Sequence, residues 1–281
     1  MKYISKLYYT VLHYVIYNII FFIKKIVMKK KKLSGNSYVA VHLHLYHIGL
    51  ANEFISYLKN IPFSFDLYVT IPVVIKDDID ITKFKENFNT VKFLICENKG
   101  KDIGGFFCFL HNINLDDYDI ILKLHSKKHN AKFVNTKLSQ GKYFKKSRFK
   151  ILDNDLWRKH NLSTLIGSEK TVNDIITLFK RQSIGMIGDK VFLLNNRYAN
   201  YSERRYFKKI CKKCNLIPCI YFFAGTMFWI RADLLKSLKE NYNISDFNCS
   251  SSSIKEGELE HGFERVFGTL VKTQGYDVKG I

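Results

Sequence analysis

The chain reads as an α/β protein: a mostly parallel, Rossmann-like sheet with helices on both faces, preceded by a hydrophobic or amphipathic amino-terminal helix. Three observations carry this. The short runs 38–46, 65–70, 91–96 and 118–124 are apolar and rich in β-branched and aromatic residues, as buried strands are. Between them, 49–58 has apolar residues at Leu50, Phe54, Ile55 and Leu58, which is helical spacing, and 79–88 forms a second short helix. The alternation β-α-β-α-β-α-β implies parallel strands joined by crossover helices. Finally, the third run ends in a glycine turn and the fourth breaks into a polar cluster, and open α/β sheets bind ligands just beyond the carboxyl ends of their strands.

The elements follow in order. In the first strand His42 and His44 are two apart and share a face. They read either as ligands or acid/base groups, or as satisfied histidines beneath a helix. Strand 91–96 runs into Asn98, Gly100, Asp102 and Gly104, whose glycines permit a tight turn or close approach of a ligand. Phe106, Phe107, Phe109 and Leu110 then begin a buried helix face. Strand 118–124 opens into Lys123, His125, Ser126, Lys127 and Lys128, so two strand ends build one cationic pocket suited to a phosphate-bearing ligand. Segment 126–165 is basic and irregular and is expected to cover that pocket. Residues 169–179 form a helix with Val172, Ile175, Ile176 and Phe179 on one face, and 184–188 a short strand. Segment 195–213 mixes basic and aromatic residues: a nucleic-acid contact, a membrane or lipid-linked-acceptor contact, or a solvated helix. Strand 221–231 is interrupted at Ala224-Gly-Thr226, and glycine inside a strand marks a bulge or close backbone approach. Around 256–267, Glu260 and Glu264 share a helix face, with Glu256 and His261 close by. A carboxylate there is a candidate general base, or it pairs with a nearby cation.

Composition narrows the classes. A chain of 281 residues with 47% hydrophobic and 15% aromatic content builds a packed core and is not disordered. A net charge of +20 draws it toward anionic partners: membrane surface, nucleic acid or nucleotide phosphates. Six cysteines without framework spacing point to a reducing compartment. Cys211-Lys-Lys-Cys214 with Cys219 is a zinc candidate that lacks a second Cys/His pair.

Two parts are expected: a membrane-associated helix and basic stretch over 1–33, and a globular domain over 38–281, joined near Ser34-Gly-Asn-Ser37. Leu7 to Ile23 carries no formal charge and is followed by Lys24, Lys25 and Lys29 to Lys32. Seventeen residues is the lower edge for a bilayer span, and a basic amphipathic helix lying in the interface fits equally. By the positive-inside rule, dense lysines on the carboxyl side lead us to expect the rest of the chain on the cytoplasmic side.

Four motifs in order, Asn98-Lys-Gly-Lys-Asp-Ile-Gly104, Leu122-Lys-Leu-His-Ser-Lys-Lys128, Ala224-Gly-Thr-Met-Phe-Trp-Ile-Arg231 and Glu260-His-Gly-Phe-Glu-Arg265, resemble those of the rhamnan synthesis protein F family. The resemblance covers about residues 38 to 270. Ser126 stands where that family tends to have Thr. The resemblance implies a GT-A-like glycosyltransferase that moves rhamnose or a related sugar from a nucleoside-diphosphate donor onto a polysaccharide such as rhamnan, O-antigen or capsule, on a lipid-linked or polysaccharide acceptor. GT-A enzymes usually neutralise the leaving diphosphate with a metal on an Asp-x-Asp pair. Here Asp116-Asp117 precedes the strand, so no cofactor is expected, although a divalent metal stays open. His125, Lys127 and Lys128 are then the candidates for the diphosphate. Asn98, Gly100, Asp102, Gly104 and Lys123 are candidates for the rest of the donor. Glu260, Glu264 and His261 are candidate catalytic groups, and Gly225, Thr226 and Arg231 line the acceptor side. The competing classes are a non-catalytic scaffold for envelope-glycan assembly and a nucleic-acid module, against which stands the lack of any reader motif.

Overall fold

The computed structural model describes residues 15–16, 19–27, 30, 38–127, 134–135, 149–150, 154–195, 204–249 and 258–281. Lys128, Glu256 and most of the 7–23 run, as well as the 34–37 linker, lie outside them. Helix α1 comprises residues 19–27. The first half of the domain alternates as expected: β1 (Val39–His44), α2 (Ala51–Leu58), β2 (Asp66–Pro72), α3 (Thr82–Asn87), β3 (Val91–Cys96), α4 (Lys101–His111) and β4 (Ile120–His125). The short pair β5 (Val134–Asn135) and β6 (Phe149–Lys150) follows, then α5 (Asn154–Ile166), α6 (Glu169–Lys180), β7 (Ile184–Gly188), β8 (Leu193–Asn195) and α7 (Arg204–Lys213). The chain ends with β9 (Tyr221–Phe223), β10 (Phe228–Arg231), α8 (Lys236–Asn241), α9 (Leu259–Thr273) and β11 (Asp277–Gly280).

Seven strands form the main sheet in the order β11-β7-β10-β4-β1-β2-β3. β1 pairs in parallel with β2 and β4, β2 with β3, and β11 with β7. Only β10 among these runs antiparallel, against both β4 and β7. The run 221–231 therefore splits into two strands of different sheets: β9 pairs with β8, and β10 joins the main sheet after the Ala224-Gly-Thr turn. Segment 154–166, expected to be irregular, is helical, and β11 closes an edge that the sequence reading did not assign.

The sheet separates two cores, so helices do cover both faces. On one side Phe106, Phe107, Phe109 and Leu110 of α4 pack with Phe263, Phe267 and Leu270 of α9 and with Phe207 and Ile210 of α7. On the other, Phe54 and Leu58 of α2 pack with Leu162 and Leu165 of α5 and with Ile175 and Phe179 of α6. Each buried Phe or Leu contributes about 1.5–3 kcal/mol relative to exposure. α4 is buried nearly all round, because β1, β2 and β3 lie under it and α9 beside it. Gly105 makes the contact with β1, where a Cβ would lie 2.2 Å from His44 Nδ1, and Gly104 makes room for the loop before α4, where a Cβ would lie 1.8 Å from the Lys99 carbonyl oxygen.

Beneath α4, His42 and His44 share the Thr70 hydroxyl at 2.9 and 3.0 Å, and His42 stacks on Phe109. Of the two readings of this pair, the one beneath a helix matches in burial, while His42 Nδ1 has no partner among the described residues. Arg231 is corrected. β10 runs antiparallel, so Phe228 lies opposite Lys123 while Arg231 lies opposite Ile120 at the far end of β4. There its guanidinium donates to the carbonyls of Ile184 and Phe179 at 2.7 Å each. It is a buried brace at the sheet's other edge and does not line an acceptor side.

Candidate active site

The same antiparallel pairing brings the turn before β10 to the carboxyl edge of β4, beside the amino end of α4. The first three motifs therefore meet there. Lys123 Nζ donates to Asp102 Oδ2 at 2.9 Å, to Thr226 Oγ1 at 2.9 Å and to the Thr226 carbonyl at 3.1 Å. Thr226 Oγ1 in turn donates to Asp102 Oδ2 at 2.6 Å. Lys123 is fully buried. Burial pushes the Asp102 carboxyl upward, yet Lys123, His125, Lys127 and the Thr226 hydroxyl outweigh it and hold it well below the usual carboxylate range. Burial lowers the Lys123 ammonium, against the attraction of Asp102. The network leaves Asp102 ionised with all its bonds turned inward.

The turn itself is left-handed, with φ of 87° at Gly225 and 57° at Thr226. A non-glycine residue in that region costs about 1–2 kcal/mol, and the three bonds at Thr226 hold it there. Glu264, from the fourth motif, accepts the Gly225 N–H at 2.8 Å through Oε1, while its Oε2 receives Arg265 at 3.1 Å. His125 donates from Nε2 to the Gly225 carbonyl, and its Nδ1 accepts the Lys127 N–H at 3.2 Å. Both ring nitrogens are engaged and the tautomer is set. Burial, reinforced by Lys123, lowers the ring to about 3, against Asp102, so it is neutral at physiological pH.

His125 and Lys123 are therefore braces one layer beneath the surface, because neither has a donor pointing outward. Lys127, exposed at the end of β4, is the described cation of that motif that faces solvent. Asn98 and Gly100 sit in the loop before α4, where Gly100 donates to the Asn248 carbonyl at 3.1 Å. Lys101 Nζ reaches Glu260 at 3.0 Å and Glu258 at 3.5 Å, joining the first motif to the fourth. Burial raises the Glu260 carboxyl, and a hydrogen bond to Glu258 adds to this. His261 is half-buried, its Nδ1 has no partner among the described residues, and burial together with Lys101 lowers its pKa.

Three neighbours were given no role of their own from sequence. Trp157 of α5 stacks against His125 at 6.0 Å and fills the space above Gly225. Ser126 Oγ accepts the Tyr46 and His47 N–H groups at 2.7 and 2.9 Å, fixing the loop after β1, a role that either Ser or Thr can fill. Lys101 lay inside a motif, but nothing local marks its partner 157 residues away. Among the described residues, the group able to hold a metal ion is Glu258, Glu260 and His261, whose ligand atoms lie within 4.8 Å of one another. Lys101 already supplies a positive charge there. Burial pushes the Cys211 and Cys214 thiols up to about 12 and 11, and they form no such group with Cys219.

The family model of rhamnan synthesis protein F matches residues 2–276. The chain belongs to the rhamnan synthesis protein F family. Its four motifs converge on one edge of the sheet in this member. The chain is 25% identical over 192 residues to the uncharacterized protein WxcX of Xanthomonas campestris pv. campestris strain B100, covering 65% of this chain and 24% of that protein. A second strain's WxcX is 23% identical over 187 residues with the same coverage. The chain thus spans about a quarter of the length of these curated relatives. A solved structure, the mannosyltransferase PcManGT from Pyrobaculum calidifontis in complex with GDP-Man and Mn2+, is similar at a TM-score of 0.47 and 9% identity over 97% of this chain and 64% of that one.

Proposed function

We propose that this member of the rhamnan synthesis protein F family is a GT-A-like glycosyltransferase domain. It transfers a sugar of the rhamnose type from a nucleoside-diphosphate donor to a lipid-linked or polysaccharide acceptor at the cytoplasmic membrane face. The observation that carries this reading is the convergence of the four motifs around the Lys123–Asp102 pair at the carboxyl edge of the sheet. Such an edge is where α/β sheets take nucleotide ligands.

The chemistry needs a counter-charge for the leaving diphosphate and a base for the acceptor hydroxyl. Lys127 supplies the first, as an exposed ammonium held by its backbone bond to His125. His261 supplies the second, because burial and Lys101 hold its pKa below the ordinary imidazole value and its buried Nδ1 has no partner among the described residues. Glu264 and His125 grip the Gly225 turn from its N–H and C=O sides and so hold its backbone rigid beside both groups. A divalent cation on Glu258, Glu260 and His261 would supply further electrostatic stabilisation once it displaced Lys101.

The test is a thermal-shift screen of the full chain with UDP, GDP, dTDP and CMP and their sugars, with EDTA and with Mn2+. A ligand that binds the folded state raises the melting point by mass action. One nucleoside diphosphate is expected to stabilise the protein in EDTA, and Lys127→Ala to abolish the shift. Stabilisation only with Mn2+ would overturn the metal-free counter-charge, and no response to any nucleotide would favour a non-catalytic scaffold.

A further inference from the structure

The charged side of α1 faces the protein and its apolar side faces out. Lys25 pairs with Asp277 at 2.7 Å, Lys24 backbone atoms lie against Gly275, and Lys272 sits 4.5 Å from the Phe21 ring. The outer stripe is Val15, Ile16, Ile19, Ile20, Phe22, Ile23, Ile26 and Val27, recurring every three to four residues. Its exposures reach 64% at Phe22, 67% at Ile26 and 74% at Val27. A soluble surface helix has the opposite arrangement. So large a contiguous apolar stripe marks an interaction site.

Beside it lies a surface of one sign. Along α9, Lys272 also lies over Tyr221 at 5.0 Å, Thr269 bonds the Cys219 carbonyl and Thr273 the Ile217 N–H. α7 packs next along the same helix, with Phe207 and Ile210 against Gly262. α1, the 217–221 segment and α7 thus follow one another along α9. α7 buries its apolar face there and presents Arg205, Lys208, Lys209, Lys212 and Lys213 to solvent, with no acidic residue between them.

We infer that this face is a docking surface for an anionic lipid bilayer: the α1 stripe seats in the headgroup–acyl boundary and the α7 cations meet the lipid phosphates. Charge complementarity selects the occupant. A second copy docked stripe to stripe would bring two cationic faces together, whereas an anionic bilayer satisfies the apolar stripe and the lysines at once. The uncharged run begins at Leu7, so the apolar character continues upstream of α1. No helix among the described residues is long and apolar enough to cross a membrane. The inference rests on this surface alone and not on sugar transfer.

The experiment is flotation of the full chain with phosphatidylcholine vesicles and with vesicles containing phosphatidylglycerol, which needs no donor. Binding is expected to the anionic vesicles and to weaken with salt. Ile19→Glu/Ile23→Glu/Ile26→Glu is expected to abolish it. Lys208→Glu/Lys209→Glu/Lys212→Glu is expected to weaken it at least about tenfold. All substitutions are on exposed positions, and an unchanged melting point checks the fold. Absence of binding, or binding indifferent to both variants, overturns the inference. A dimer in sedimentation that the Ile variant dissolves, without vesicle binding, would assign the stripe to a second copy instead. Carbonate-resistant insertion would mean that the helix spans rather than lies.

Discussion

Lys123 Nζ lies 2.9 Å from Asp102 Oδ2, a buried ion pair between strand β4 and helix α4, which precedes it. Thr226 closes the triangle from β10's leading turn. A buried pair contributes little net stability against apolar replacements, but leaving one charge alone is costly. Its value here is placement, because it ties three distant segments at one point.

Asp102→Asn, which leaves the Lys123 ammonium without its countercharge, is expected to cost about 3–5 kcal/mol in urea unfolding. Lys123→Met should cost a similar amount. The double variant Asp102→Leu/Lys123→Met should recover much of that loss while releasing Thr226. Strictly additive losses would mean that the two groups are not coupled.

Gly225 meets two separate constraints. Its φ of 87° disfavours any side chain, and a Cβ would come 2.2 Å from Trp157 Cζ2. Gly225→Ala is expected to destabilise by at least about 1 kcal/mol from the backbone alone, with the Trp157 clash added. Pairing it with Trp157→Leu should return only the steric part. Full rescue by Trp157→Leu would show that the left-handed turn contributes nothing.

Acid should unfold this protein through its histidines. Burial lowers His44 to about 4 and His125 to about 3, and His42 well below its ordinary value. The unfolded rings titrate near 6.5, so below that pH the unfolded state binds more protons. Stability is full above about pH 6.5 and falls as pH drops toward 4, by up to about 1.4 kcal/mol per pH unit for each ring. Asp102, held low in the fold, adds its loss below its ordinary value. Glu260, raised in the fold, works in the opposite sense. Urea midpoints at pH 7.5, 6, 5 and 4.5 check this. His44→Gln should flatten the decline, and a midpoint constant down to pH 5 would contradict the assignment.

The strands and the site edge were legible because period and turn chemistry are local. The runs at 39–44, 66–72, 91–96 and 120–125 each announce themselves, and the glycine after the third marks where α4 begins. The antiparallel insertion of β10 was not legible: it decides that Arg231 leaves the site while Thr226 enters it, and strand direction is settled by pairing, not composition. Lys123 illustrates the other limit. From sequence it is one more donor-binding candidate among the lysines of its motif, and only the approach of Asp102 and Thr226 makes it the best-buried cation of the group. α5 reads as irregular because its helical spacing is weak: Trp157, Leu162, Leu165 and Ile166 are interleaved with polar residues, Arg158 to Asn161 and then Ser163 and Thr164.

Lys127 and His261 should separate kinetically once the screen has supplied a donor. Lys127 is exposed and its proposed partner is the diphosphate, present in both ground and transition states, so Lys127→Ala should raise donor KM and keep the acidic limb, moved slightly upward because Lys127 helps to lower the His261 pKa. His261→Asn removes the group proposed to accept the acceptor's proton, so kcat should fall about 10²–10⁴-fold with donor KM little altered. Because burial lowers the His261 pKa, wild-type activity should already be on its plateau at pH 7 and decline at lower pH, where the ring becomes protonated. The variant should lose that acidic limb. If instead Glu260→Gln removes the limb and His261→Asn does not, the base is the carboxylate that Lys101 holds at 3.0 Å, and the imidazole serves to position it.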